Sequence, residues 1–425
     1  MSASLPSFVP VAIVGGGQAG LSLSAHLKGR GIGHLVFEKS TAMHVWADRR
    51  WDNFCLVTPN WQCDLPGHPY DGPDPDGFMK KSEILAYLAA FRDKVDAPLR
   101  EGTAVTRVVP HPAGGFTVET SAGTLHAEQV VAASGGYTVP VVPAYAGRIP
   151  GSIVQLHSEE YRNAEQLPAG PVLVVGSGQS GAQIAEDLHL AGRSVHLAVG
   201  NAPRCARFYR GRDVVTWLAD MNYYDMPVDA HPLREGVRDN TNHYVTGRDG
   251  GRDIDLRRFA TEGMRLYGQL DGLDGGTLRF LPTLRENLDA ADRVYNGINA
   301  SIDRFIAERG IEAPPASVYE PVWTPEEEPL ALDLEAEGIA AIVWCIGFRP
   351  DFGWLEAPVF TDRGHPSHKR GVTDVPGLYF LGLPWLHTWG SGRFSSVGRD
   401  AAHLAGVIER AAQSERAPSR AAAFG

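Results

Sequence analysis

An α/β fold built from two nucleotide-binding units is what this sequence predicts, on three observations. "VAIVGGGQAGLSLSAHLKGRGIGHLVFEKS" at residues 11–40 runs from an apolar stretch through a glycine-rich turn into a helix-like segment and a second apolar stretch. "VLVVGSGQSGAQIAEDLHLAGRSVHLAVG" at residues 172–200 repeats the plan. Apolar runs then return late in the chain, at 341–345 and 378–381. Alternating strand and helix patterns favour a parallel sheet with helices on its faces. The expected fold class is therefore α/β, with two Rossmann-like dinucleotide-binding domains and the first interrupted by insertion of the second.

Each element has a local reason. Residues 9–14 are short, β-branched and unbroken, as a buried strand requires. Residues 18–28 mix apolar and small residues as a helix packed on a sheet does, and 35–37 form the next strand. Residues 40–80, rich in Trp, Pro, Gly and Asp, read as irregular loop. Ser82 is expected to cap a helix through Phe91, with Ile84, Leu85, Leu88 and Phe91 on one face. Short alternating runs over 104–127 suggest an antiparallel meander, and 129–133 a return to the parallel sheet.

Pro168, Gly170 and Pro171 punctuate the chain before the second unit. A helix is expected over 256–266. "PPASVYEPVWTPEEEPLAL" reads as a loose segment whose acidic run is a solvated linker. The last helix is expected from about Ser395 to Ala411. These readings divide the chain into 1–168 (first nucleotide domain), 169–335 (second), 336–415 (return segment of the first) and a flexible tail, 416–425.

Bulk properties narrow the classes. The 425 residues suit two or three domains, with 43% hydrophobic and 21% charged residues. Lys plus Arg number 39 against 50 Asp plus Glu, a net charge of −11, which argues against nucleic acid or an acidic membrane as the main partner. Four cysteines without a C-x-x-C pair suggest a reducing compartment. With no basic leader and no long apolar span, a soluble, cytoplasmic protein is the expectation.

Gly15, Gly17 and Gly20 make G-x-G-x-x-G between strand and helix. The first permits the sharp turn, the second lets a pyrophosphate approach the backbone, and the third lets helix pack on strand. The free N–H groups of the helix start face the phosphates. Glu38, 18 residues after Gly20, stands where a carboxylate accepts both ribose hydroxyls. The adenosine half of FAD or of NAD fits this motif equally.

Gly176, Gly178 and Gly181, with Ser180 between the last two, repeat the turn. Here the second strand ends in Gly200-Asn201, without an acid, and Arg204, Arg207, Arg210 and Arg212 follow. Guanidinium groups bind a 2′-phosphate that a carboxylate would repel. The expected cofactors are thus FAD in the first unit and NADPH in the second, with Arg204, nearest the strand end, and Arg207 as candidate phosphate ligands and the choice among the arginines left open.

The sequence resembles the flavin-containing monooxygenases, the class B flavoprotein monooxygenases, and among them the bacterial and plant indole-pyruvate-type relatives. The resemblance rests on the two turns in this order, on "VVAASGGYTVPVVP" around Ser134, "LHSEEY" at 156–161, "VWCIGFRPD" at 343–351 and the terminal "GLYFLGL". His157 and Tyr161 match the second half of the family fingerprint F-x-G-x-x-x-H-x-x-x-F/Y, whereas Gly151 lies six residues before His157 and no Phe precedes it. Tyr161-Arg162 does not match the Baeyer–Villiger branch.

This resemblance implies hydride transfer from NADPH to FAD and formation of a C4a-hydroperoxyflavin. It further implies oxygenation of a small nucleophilic N- or S-containing, or indole-type, substrate. His157 is implied at the junction of the two domains and Asn60 beside the flavin. Ser395 and Ser396 are implied as backbone donors at a helix N-terminus facing it. Trp46, Trp51, Trp61, Trp385 and Trp389 are candidate walls, and the aromatic residues of 208–250 a candidate lid.

The expected partners are a small-molecule substrate and O2, with a homodimer as the assembly considered. No metal, nucleic acid or membrane is expected. The alternatives are an oxidoreductase or NADPH oxidase without oxygen insertion, a dithiol reductase, and a non-catalytic nucleotide sensor.

Overall fold

Two sheets carry the chain, and each is centred on a strand that feeds a glycine turn. The structure is a computed structural model describing residues 4–416, so the expected tail beyond residue 416 lies outside the described residues. The first sheet has seven strands, in the order Leu99–Arg100, His34–Phe37, Phe8–Val14, Gly123–Ala132, Phe116–Thr120 and Val105–Pro110, with Leu378–Phe380 also pairing on Gly123–Ala132. The second has five strands, all parallel: Val154–His157, Ala341–Trp344, Val172–Val175, Val195–Ala198 and Arg265–Tyr267.

The strand Gly123–Ala132 serves both the meander and the parallel sheet. Its first half pairs antiparallel with Phe116–Thr120, and its second half pairs parallel with Phe8–Val14. Its burial changes in step, alternating at Leu125 and Ala127 and then continuous from Gln129 to Ala132. One covered face demands alternation, and two covered faces demand an apolar run.

Sheet membership cuts across the expected divisions at 168/169 and 335/336. Val154–His157 is an edge strand of the second sheet, and Ala341–Trp344 pairs on both sides within it. After Trp344 the chain leaves the second sheet, Phe348–Arg349 pairs with Val139–Pro140 in a separate two-stranded ribbon, and the first sheet is rejoined at Leu378–Phe380.

Helix Gln18–Gly29 packs on the terminal helix Val397–Arg416, burying Leu21, Leu23 and Leu27 with Val397, Leu404 and Ile408. Each fully buried Leu contributes about 1.5–3 kcal/mol.

Several element boundaries differ from expectation. The helix expected from Ser82 spans Lys81–Val95, and its start is closed by the Lys80 N–H donating to the Glu83 carboxylate at 2.8 Å. The helix expected over 256–266 is Leu256–Thr261 only, because Gly263 takes φ +101° and the chain continues as the strand Arg265–Tyr267. The terminal helix begins at Val397 rather than Ser395.

A 26-residue helix, Leu284–Arg309, was not anticipated. It buries Leu284, Leu288, Ala291, Tyr295, Ile302 and Ile306 along one face. The acidic run expected as solvated linker supplies part of its cap, since the Leu284 N–H donates to Glu328 Oε2 at 2.8 Å.

Candidate functional site

The two glycine turns are built alike, down to the neighbouring carbonyl. Gly15 takes φ +115°, and a Cβ there would meet the Ala133 carbonyl oxygen at 2.5 Å. Gly176 takes φ +100°, and a Cβ there would meet the Cys345 carbonyl oxygen at 2.7 Å. A Cβ on Gly20 would lie 2.0 Å from the Gly15 oxygen, and one on Gly181 1.8 Å from the Gly176 oxygen. Gly20 and Gly181 therefore hold their helices against the turns.

Gly17 has open space where a side chain would be. Gly17 and Gly178 start the helices Gln18–Gly29 and Gln179–Leu190, and neither helix has a side-chain cap. The free N–H groups at both starts suit a phosphate.

Both turns open onto one cleft of about 1500 Å³. Gly15, Gly17 and Glu38 line it from one side, and Gly176, Gly178 and Ser180 from the other. Glu38 is held by its neighbours, with Oε2 accepting from the Gly16 N–H and Oε1 from the Ser40 N–H, both at 2.9 Å. In the second turn the lock runs the other way, as the Gly200 N–H donates to Ser177 Oγ at 3.0 Å. The second strand end thus presents Gly200, Asn201 and Ala202 to the cleft, with no acid among them.

Arg204 and Arg207 do not reach this edge. Arg204 is 3% exposed, pairs with Asp292 at 2.9 Å, and lies 4.0 Å from the ring centroid of Tyr319. Arg207 is 1% exposed, pairs with Asp213 at 2.6 Å and donates to the Val57 carbonyl. Arg210 pairs with Asp303 and Arg212 with Asp220. The whole arginine series is committed to carboxylates, distant in sequence for Arg204 and Arg210 and six to eight residues on for Arg207 and Arg212, which corrects its expected role at a 2′-phosphate.

Asn60 is also spoken for. Its amide donates to the Asp74 carbonyl at 2.9 Å and accepts from the Met79 N–H at 2.7 Å, clamping a loop instead of facing the cleft. His157 ends the edge strand of the second sheet, 3% exposed, with Nε2 3.1 Å from the Gly347 carbonyl and its ring edge-on to Phe348 at 4.7 Å. It pins the segment that crosses between the sheets. Burial holds its pKa below the usual histidine range, which leaves a neutral ring. Tyr161, the fingerprint partner, is fully buried and donates to Asp187 in the second helix.

Ser395 lines the cleft with a buried hydroxyl that has no hydrogen-bond partner, as does Ser134. Ser396 is turned inward, accepting from Arg399 at 2.6 Å, and its N–H already donates to the Arg393 carbonyl. Ser396 is therefore no free backbone donor.

Of the five tryptophans, Trp46, Trp51, Trp385 and Trp389 line the cleft and Trp61 does not. Of the proposed lid, Tyr223, Tyr224 and His243 line it, whereas Tyr209, Trp217 and Tyr244 are core.

Sequence reasoning missed Gln18 and Gln179, which hold the same place in the two motifs. Gln18 donates to the Gly392 carbonyl at 3.2 Å, and Gln179 to that of Val245 at 2.7 Å. Each ties a helix start to a distant wall of the cleft. The repeated Q in "GGGQAG" and "GSGQSG" was the available signal.

The four cysteines are free and buried. Burial pushes the thiol of Cys55 up to about 11 and those of Cys63 and Cys205 to about 12, so no ready thiolate faces a flavin. Among the described residues no helix is long and apolar enough to cross a membrane.

The residues present fit FAD at the first turn: an open glycine cradle, an anchored carboxylate, and orphaned hydroxyls at Ser134 and Ser395. They fit a second dinucleotide at Gly176–Gly181.

Comparison with known proteins agrees. Residues 12–220 match the pyridine nucleotide-disulphide oxidoreductase family. The chain is 30% identical over 402 residues to an uncharacterized CzcO-like oxidoreductase of Geobacillus kaustophilus, covering 93% of this chain and 97% of that one. It is 27% identical over 371 residues to the indole-3-pyruvate monooxygenase YUCCA1 of Oryza sativa subsp. japonica, covering 84% and 88%. A variant of the flavin monooxygenase from Stenotrophomonas maltophilia superposes with a TM-score of 0.63 at 19% identity, covering 96% of this chain and 100% of that one. This chain belongs to the family of the CzcO-like oxidoreductases, its fold is that of the flavin monooxygenases, and it is an enzyme of the FAD- and NADP(H)-dependent oxidoreductase type.

Proposed function

We propose that this enzyme spends NADPH and O2 to place one oxygen atom on a small nucleophilic N- or S-containing, or indole-type, substrate. The observation that carries this reading is the single cleft shared by two glycine turns, which lets two dinucleotides meet end to end. When bound, FAD supplies the redox and oxygen chemistry.

The chain's own residues bind, orient and shield. Glu38 stiffens the first turn and offers its carboxylate to a ribose. Gly17 and Gly178 let phosphates approach two uncapped helices. His157 and the Gly347 carbonyl hold the crossing segment in register, so that the two nucleotide sites face each other. Trp46, Trp385 and Trp389 wall the interior and exclude water, which prevents wasteful loss of activated oxygen. The four buried thiols fit a reducing, cytoplasmic setting.

The test is turnover of the yellow holoenzyme under ¹⁸O2 with NADPH and a panel of sulfides, amines and indole-type acids. One labelled oxygen in the product supports the proposal. NADPH consumption that yields only peroxide or water with every substrate overturns it in favour of an oxidase.

A further inference from the structure

Two arginines of the cleft lack a carboxylate among the described residues. Arg50 and Arg393 both line it and are half-buried, and among the described residues neither forms an ion pair. Arg50 donates to the Arg49 carbonyl at 2.8 Å, and Arg393 to the Trp389 carbonyl. Each guanidinium otherwise lies over an indole, Arg50 5.2 Å from the centroid of Trp46 and Arg393 3.7 Å from that of Trp389. The nearby acid, Glu159, is held by Arg49 at 2.9 Å.

The two belong to one region. Trp46, beneath Arg50, lies 4.9 Å from Phe394, the neighbour of Arg393. Of Arg49, Arg50 and Arg393, only Arg49 has a carboxylate partner among the described residues, in a chain whose net charge is −11. Burial lowers the pKa of Arg50 to about 10 and that of Arg393 below the arginine range, the mark of guanidinium groups short of counter-charge. Such groups are retained when an anion completes them. The dinucleotide phosphates have their own places, at the starts of Gln18–Gly29 and Gln179–Leu190.

We propose that Arg50 and Arg393 grip the carboxylate of the substrate, and that its apolar or aromatic body lies against Trp389 and Tyr224, whose rings are 4.5 Å apart. The substrate class is an organic acid with an apolar body. Turnover of such an acid rests on the oxygenase reading above; its binding does not. A cofactor phosphate is the other source of the same chemistry, and the experiment separates the two.

The flavin-loaded enzyme is titrated with para-methylthiobenzoate and with its methyl ester, following tryptophan fluorescence and flavin absorbance. NADPH-driven sulfoxide formation is then measured for each. The acid is expected to bind about tenfold or more tightly than the ester, as a charge-assisted fork contact predicts. In Arg50→Met and Arg393→Met the acid-to-ester ratio falls to near one, and Arg50→Lys and Arg393→Lys recover part of it.

A ratio near one in the wild type overturns the proposal without any variant. So does a variant that weakens the ester as much as the acid. Lost flavin or a raised KM for NADPH, with the acid-to-ester ratio intact, assigns the arginines to a cofactor phosphate and also overturns it. Arginine-dependent binding of the acid without sulfoxide supports this inference and leaves the oxygenase reading to the ¹⁸O2 panel.

Discussion

The guanidinium of Arg204 meets the carboxylate of Asp292 at 2.9 Å, inside the core of the second unit. Asp292 belongs to the helix Leu284–Arg309 and also receives Arg257 at 2.8 Å. Removing one member of such a buried set strands the others. Arg204→Met should therefore cost about 3–5 kcal/mol of stability. It should leave the KM for NADPH within about twofold of wild type, since nothing at the cleft edge changes. Denaturant unfolding together with NADPH kinetics checks both. A large KM rise in a stable Arg204→Met protein counts against this placement.

Asn201, by contrast, lines the cleft at the second strand end. A guanidinium introduced there meets any 2′-phosphate bidentately. Asn201→Arg should raise the ratio of kcat/KM for NADPH over NADH by about tenfold. The ratio is read from initial rates of flavin reduction with each nucleotide.

The two turns should fail independently. Gly20→Ala drives a methyl group to 2.0 Å from the Gly15 oxygen, and Gly181→Ala drives one to 1.8 Å from the Gly176 oxygen. Gly20→Ala should yield protein depleted of flavin. Gly181→Ala should stay yellow yet resist reduction by NADPH. Visible absorbance before and after anaerobic NADPH distinguishes them, and identical behaviour of the two variants would contradict separate sites.

His157 acts through position, with its ring against the Gly347 carbonyl and Phe348. His157→Ala should lower kcat by loosening the crossing segment and leave the pH profile of kcat unchanged in shape. A vanished limb of that profile in the variant would show that the ring carries a proton in the reaction.

His196 is 2% exposed and its pKa is lowered to about 4, mainly by burial and then by Arg265. Between pH 4 and about 6.5 the unfolded chain therefore binds a proton that the native chain refuses. Stability from this site is complete above the unfolded value and is lost as pH falls. His196→Gln should flatten the dependence of unfolding free energy on pH across that window by up to about one proton. Urea melts of wild type and variant at several pH values provide the measurement.

The sequence by itself determined the two glycine turns, their flanking strands and helices, and Glu38, because Gly20 against Gly15, Gly181 against Gly176 and Glu38 against Gly16 are contacts within one short stretch, even though the carbonyls that crowd Gly15 and Gly176 come from Ala133 and Cys345. The spacing of glycines is a local steric demand, and Gly15, Gly20, Gly176 and Gly181 meet it where the motif says they should. The helix Leu284–Arg309 was missed, although Leu284, Leu288, Ala291 and Tyr295 recur at helical intervals. Charged residues between them masked the pattern.

Only the tertiary structure decided which polar side chains face the cleft. Arg204 and Arg207 read as phosphate ligands until Asp292 and Asp213 took them. Asn60 read as a flavin neighbour until the Asp74 carbonyl and Met79 N–H closed around it. Arg50 and Arg393 stand 343 positions apart in the chain yet line one cleft, where Trp46 beneath Arg50 meets Phe394 beside Arg393. Whether a cation is neutralised or left to meet a ligand depends on which distant carboxylate folding brings beside it, and that pairing is set by the three-dimensional arrangement of elements rather than by any local run of residues.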